Sequence, residues 1–297
     1  MKIRLAENFR AAFYAPFYAS QALGLYAREG LEVEFMTSAA PGDAVGGLLD
    51  GTIDLTWGGP MRVMRAHDTD ANSPFVCFGE VVARDPFYLV GRRDLAGFRL
   101  TDLADLRFAT VSEVPTPWMC LQHDLRLAGM DPAAIGRVAD RSMADNLAGL
   151  RAGALDVVQL FEPFVAQALQ GGFGKIVYAA SGRGPCVYTS FIAMRATVAG
   201  KPDACAAVVR ATASMQQWLA AQGGKGLASA VASYFPDVAP DLLADALRRY
   251  HDAGLWSTTP AMSRAGFARL GESFVSGGAL RQPPSFEACV LEPASGA

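Results

Sequence analysis

Cys120 and His123 stand three residues apart on a stretch that reads as helix, a spacing that sets thiol and imidazole on one face. They are the best nucleophile–base pair the chain offers, and a buried thiol beside a half-exposed ring accounts for them equally well. His67 and His251 are remote from them. There is no GxSxG elbow and no HExxH, and Gly171-Gly172-Phe173-Gly174-Lys175-Ile176 lacks the spacing and the hydroxyl of a phosphate-binding loop. No catalytic residue is assigned. The cysteines, Cys77, Cys120, Cys186, Cys205 and Cys289, are odd in number and far apart, with no CxxC. They read as small buried hydrophobes, so neither a disulfide framework nor a metal or cofactor site is expected.

Richer chemistry lies where short apolar runs end. Glu7, Asn8, Phe9, Arg10 and Phe13 follow the first run, Ser38 and Ala39 the second, and Trp57, Gly58, Gly59 and Arg62 the third. Further on come Ser112, Glu113, Thr116 and Trp118, then Gln159, Phe161 and Glu162, while Glu80, Arg84, Tyr188, Thr189 and Ser190 flank the places where the chain changes lobe. An indole on a Gly-Gly turn, as at Trp57, is a stacking platform or a core residue at a strand end. Glu113 and Glu162 suit ligand amino groups; Arg10, Arg62 or Arg84 suits a carboxylate, sulfonate or phosphate. Pro117 fits the first turn of a helix whose free amides would face an anion. Acids among aromatics favour a flat, amine-bearing heterocycle, and a small organic anion is the other option.

These positions gain meaning from the elements around them. KIRLA, LEVEF, IDLTW and FVCFGEVV read as strands, with helices near residues 15–28, 42–51 and 60–68, the grammar of a mostly parallel sheet. A similar series starts near residue 106: RFATV, a helix over 117–128, IGRVAD, a helix over 145–152, LDVVQLF, a helix over 165–169, and KIVYA. Gly47-Leu48-Leu49-Asp50-Gly51-Thr52-Ile53-Asp54-Leu55 overlays Gly149-Leu150-Arg151-Ala152-Gly153-Ala154-Leu155-Asp156-Val157, which points to one unit written twice. Loops at the carboxyl ends of the two sheets would then face each other across a cleft. From residue 201 onward the pattern is helical, over 203–221, 226–234, 240–253 and 263–276, and its simplest place is on the first lobe. Residues 1–92 and 190–297 are assigned to lobe 1 and 93–189 to lobe 2, with crossings near 90–95 and 188–194.

The chain has 297 residues, 51% hydrophobic, enough for two lobes without staples. Its net charge of −3 with no basic run argues against nucleic-acid partners. Residues 11–27 are uncharged, but Glu7 and Pro16 break the pattern of an export signal and the stretch is too short to span a bilayer. It reads as a buried helix, with no membrane insertion. The expected location is cytoplasmic if Met1 is the natural start and periplasmic if a leader was removed.

FYAPFYASQALGLYAREGLEVEF at 13–35, LAGLRAGALDVVQLFEPFVAQAL at 147–169 and HDAGLWSTTPAMSRAGFARLGESFVSGGAL at 251–280 resemble the substrate-binding proteins of nitrate, taurine, alkanesulfonate and thiamine-pyrimidine ABC importers. The resemblance implies an α/β, two-lobed type II periplasmic-binding-protein-like fold with mostly parallel sheets, an interlobe cleft and a helical C-terminal tail. It implies a monomer that closes about a hinge on a small-molecule ligand and presents it to an ABC permease. The cysteine-rich motif of the related pyrimidine synthases is missing. The alternative is a cytoplasmic lyase, decarboxylase or pyrimidine-biosynthesis enzyme on the same fold, with Glu113 or Glu162 as the acid–base group on a small aromatic acid.

Overall fold

A computed structural model describes residues 1–38, 42–92 and 95–293. The opening third carries strands Lys2–Ala6 (β1), Glu32–Met36 (β2), Leu55–Gly58 (β3) and Phe75–Val82 (β4), with helices Ala15–Ala22 (α1), Leu25–Arg28 (α2), Ala44–Asp50 (α3) and Met61–Thr69 (α4). The middle carries Tyr88–Gly91 (β5), Phe108–Val111 (β6), Arg137–Arg141 (β7), Val157–Leu160 (β8) and Lys175–Ala179 (β9), with helices Thr116–Leu127 (α5), Met143–Arg151 (α6) and Phe164–Gln170 (α7). Thr189–Met194 (β10) ends the alternation, and helices Arg195–Gly200 (α8), Pro202–Val231 (α9), Pro240–Asp252 (α10), Arg264–Ser276 (α11) and Phe286–Cys289 (α12) follow.

The strands form two five-stranded sheets, ordered β2-β1-β3-β10-β4 and β7-β6-β8-β5-β9. One order maps onto the other strand for strand, so the duplication read from the sequence is a duplication of topology. The shared residues explain themselves. Asp54 binds the backbone N–H and guanidinium of Arg4, and Asp156 does the same for Arg107, so each copy ties its first strand to the start of its third. A Cβ on Gly47 would lie 2.5 Å from Ile53 Cδ1, and one on Gly149 2.8 Å from Leu155 Cδ1. In both copies the glycine lets an apolar side chain just ahead of the third strand lie directly on the helix backbone.

Three expectations change. The sheets are mixed rather than mostly parallel, because β10 and β5 each run antiparallel to both of their neighbours. Tyr88–Gly91 already pairs in the second sheet, so the chain crosses between Val82 and Tyr88 and returns between Ala179 and Thr189. The expected crossing at 90–95 is therefore a strand in its first part, and Arg93 and Asp94 lie outside the described residues. The apolar stretch near residues 15–28 is two helices, since Gly24 adopts the left-handed conformation (φ 64°) and ends the first.

The C-terminal tail also differs from expectation. Helix α9 packs on α1 and α2 of the first lobe, but α10 bridges α9 and α7, and α11 packs on α5 as well as α4. The tail thus straddles both lobes. Between them the two crossings are pinned by charge: Arg183, nearly buried, donates to Asp85 (2.9 Å) and to Asp124 of α5, which also accepts from the Tyr178 hydroxyl (2.7 Å).

Candidate functional site

Two cavities lie between the sheets. The inner one, of about 50 Å³, is bounded by Asn8, Phe9 and Phe13 after β1, Gly59 and Arg62 after β3, Pro115 and Thr116 at the start of α5, and Tyr188 on the returning crossing. All four segments sit at the carboxyl ends of strands or on the crossings. Across it, the Thr116 hydroxyl donates to Met61 Sδ at 3.7 Å, a weak contact that leaves the hydroxyl free to turn to a better acceptor.

Charge in the inner cavity comes from Arg62. Its Nη2 donates to Asn8 Oδ1 (3.2 Å), which also accepts from the Gly42 amide (3.1 Å), while Asn8 Nδ2 donates to the Tyr14 hydroxyl (3.2 Å). Burial lowers the Arg62 pKa, and no carboxylate of the described residues forms an ion pair with it. Arg4, Arg10, Arg107, Arg183 and Arg249, by contrast, are all paired with acids. Opposite lies the start of α5, where Pro117 has no N–H and the Met119 amide is taken by the Pro115 carbonyl, leaving the Thr116 and Trp118 amides without an intrahelical acceptor. A half-buried cation facing a helix N-terminus is a setting for a compact anion.

The second cavity, of about 560 Å³, opens beside the first and is walled by Phe9, Ala11, Ala12, Phe161, Phe164 and the α9–α10 connection at Tyr234–Val238. Two of its three charged residues are engaged: Arg10 binds both carboxylate oxygens of Glu7 (2.9 and 3.1 Å), and Glu113 accepts from the Met143 amide at the start of α6 (2.8 Å), while Asp237 of the α9–α10 connection is exposed. Tyr14, Met61 and Phe87 in the inner cavity, and Phe164, Gln167 and the Tyr234–Val238 segment in the outer one, escaped the sequence reading. The first three are apolar residues of helices and crossings with no signal of their own. The Tyr-Phe-Pro-Asp run between helices was legible only as a breaker.

Several expected site residues serve elsewhere. Glu7 is buried, pairing with Arg10 and accepting from Tyr18 (2.7 Å), and Ser38 donates to its carbonyl. Ala39 lies outside the described residues. Trp57 is fully buried, stacked on Phe17 at 4.5 Å, and lines a separate enclosed cavity behind Asn8 and Arg62 instead of sharing one with Phe161. Among the described residues its indole N–H has no hydrogen-bond partner, nor do the hydroxyls of Thr189 and Ser190. Gly58 is buried beside Asn8 and Ile192. Glu80 accepts from the Ser263 amide (2.8 Å) and Arg84 donates to the Ser181 carbonyl (3.0 Å), both away from the cleft. Ser112 is spent on β7 through its amide, and Trp118 packs against Phe108 under the Arg137 guanidinium. Gln159 faces a cavity of about 10 Å³ beside Arg183.

Glu162 is the largest correction. Its side chain is completely buried, forms an ion pair with Arg249 of α10 and accepts from the Ala166 amide (2.9 Å); its own amide donates to the Tyr250 hydroxyl (2.9 Å). Burial raises its pKa against the pull of Arg249. It joins α10 to the second lobe and is not open to a ligand. The Cys120–His123 pair fails as well, because burial pushes the Cys120 thiol up to about 12.

Among the described residues no helix is long and apolar enough to cross a membrane, and no cluster of metal-binding side chains occurs. Residues 12–223 match the family described as NMT1/THI5 like. The Bacillus subtilis (strain 168) protein YtlA is 26% identical over 265 residues, 88% of this chain and 79% of that one. The periplasmic aliphatic sulphonate binding protein SsuA of Escherichia coli superposes with a TM-score of 0.79 at 14% identity, over 100% of this chain and 94% of that one. The desulfurization enzyme DSZB does so with a TM-score of 0.71 at 14% identity, over 98% and 96%.

Proposed function

The chain belongs to the NMT1/THI5-like family, and on that premise we propose that it is a solute-binding protein that closes on a small organic anion and presents it to the permease of an ABC importer. The observation that carries this reading is Arg62, a half-buried guanidinium without an acid partner among the described residues, set opposite the start of α5. An anion bridging the two belongs to both lobes at once, and its binding energy favours the closed form. SsuA, which shares the fold, is a sulphonate-binding protein.

The same accounting selects among ligands. An aminopyrimidine needs carboxylates to receive its amino groups, yet Glu7 and Glu162 are committed to Arg10 and Arg249. A sulfonate, carboxylate or nitrate needs what Arg62 and α5 offer. A lyase or decarboxylase would require a free buried acid, and Glu162 and Glu113 are both spent on neighbouring elements. One chain supplies both walls of the cleft, so the working unit is a monomer, meeting its permease on the outer side of the cytoplasmic membrane.

Calorimetric titration with methanesulfonate, taurine, nitrate and an aminopyrimidine tests the proposal. One or more anions should bind, and Arg62→Gln should weaken that binding by about 10- to 100-fold, the value of a charge-assisted hydrogen bond. Anion binding that is indifferent to Arg62→Gln, or binding of the aminopyrimidine alone, overturns it.

A further inference from the structure

The inner cavity holds about 50 Å³, room for a sulfonate or carboxylate group and little else, whereas ordinary ligand sites run to several hundred Å³. The outer cavity, at about 560 Å³, has that size, and its wall is largely apolar, with Phe9, Phe161, Phe164, Tyr234 and Phe235 among its residues. Phe9 lines both. Its half-buried ring meets Phe13, Tyr14 and Phe161 at centroid distances of 6.0, 5.3 and 6.4 Å, so the partition is one side chain thick. A rotamer change at such a ring is a fast, small motion. Of the charged residues of the outer cavity, Arg10 and Glu113 already have partners and Asp237 is exposed to solvent, so most of its wall offers apolar contact.

From this pairing we infer that the physiological ligand is an amphiphile: a compact anionic head at Arg62 carrying an aryl or polycyclic body that turns Phe9 aside and lies in the outer cavity. The inference rests on the anion-binding reading above and adds the body and its place. The body's subsite is built from three parts of the chain: the loop after β1, helix α7 at Phe164 and Gln167, and the α9–α10 connection at Phe235. The tail helices thereby take part in recognition.

Two probes share one head and differ in body, methanesulfonate and naphthalene-1-sulfonate, titrated calorimetrically into the full chain. Burying the naphthyl surface should make the second at least about 30-fold tighter. Gln167→Trp, which fills the outer cavity from a half-buried helical position, should cut that ratio below about five, and Phe164→Ala, a second variant with little risk to folding, should cut it several-fold. Arg62→Gln should weaken both probes. Methanesulfonate binding that depends on Arg62, with a probe ratio near one, overturns the amphiphile and leaves the anion-binding function standing. A high ratio untouched by both Gln167→Trp and Phe164→Ala places the body elsewhere and also overturns it. Failure of both probes to bind overturns the amphiphile, and failure of taurine and nitrate as well overturns the anion-binding reading.

Discussion

Glu80 shows at the scale of one residue how burial and partners decide what an acid does. Burial raises its pKa to about 7, against the opposing pull of the Ser263 amide. Its folded-state value lies above its unfolded one, so the stability linked to its proton is complete below about pH 4.5 and is lost as pH rises through 7. The loss amounts to about 3 kcal/mol. Glu80→Gln keeps an acceptor for Ser263 and has no proton to lose. Its melting temperature should match the parent at pH 4.5 and exceed it by several degrees at pH 8; equal pH profiles would refute the assignment. The same logic explains which candidate residues the sequence exposed. Asn8, Phe9, Phe13, Gly59, Arg62, Thr116 and Tyr188 surround the inner cavity because loop position after a strand is local information. What became of Glu162 and Glu80 depended on partners 87 and 183 residues away, Arg249 and Ser263, and no spacing rule reaches that far.

The repeated elements are the most legible part of the chain because their constraints are local. The glycine that lets helix and strand touch, the left-handed glycine that ends the helix (Gly51, φ 76°; Gly153, φ 70°) and the aspartate that clasps the first strand recur at equal spacing. Gly149→Ala should cost about 1–3 kcal/mol by pushing its methyl into Leu155, and Gly47→Ala a comparable amount against Ile53, both measurable by urea unfolding. A cost near zero would mean that the close approach relaxes freely. Strands β5 and β10 were the illegible ones. Each is a short apolar segment beside a crossing, and its sheet is decided by antiparallel partners such as Tyr88 with Ala179 and Thr189 with Val82, supplied from far along the chain.

At the scale of the molecule, the tail is a brace between the lobes, which its helical periodicity could not reveal because amphipathic helices pack equally well on either. Its most committed contact is Arg249 with Glu162, where removing one partner strands the other. Arg249→Met should destabilise by about 3–5 kcal/mol, and Arg249→Met with Glu162→Met should recover most of that loss in urea titrations. A double variant no better than the single would show that the pair matters by shape and not by charge. The two crossings, finally, leave the first sheet side by side, Val82 opposite Thr189, and enter the second side by side, Tyr88 opposite Ala179, with Arg183 pinning one to the other through Asp85. Paired ribbons of this kind nod readily about one axis and resist twisting about any other. Under the proposed binding function, every ligand that fits would bring the jaws to one posture, and a docking partner would read whether the protein is loaded from its outline alone, without inspecting what lies inside.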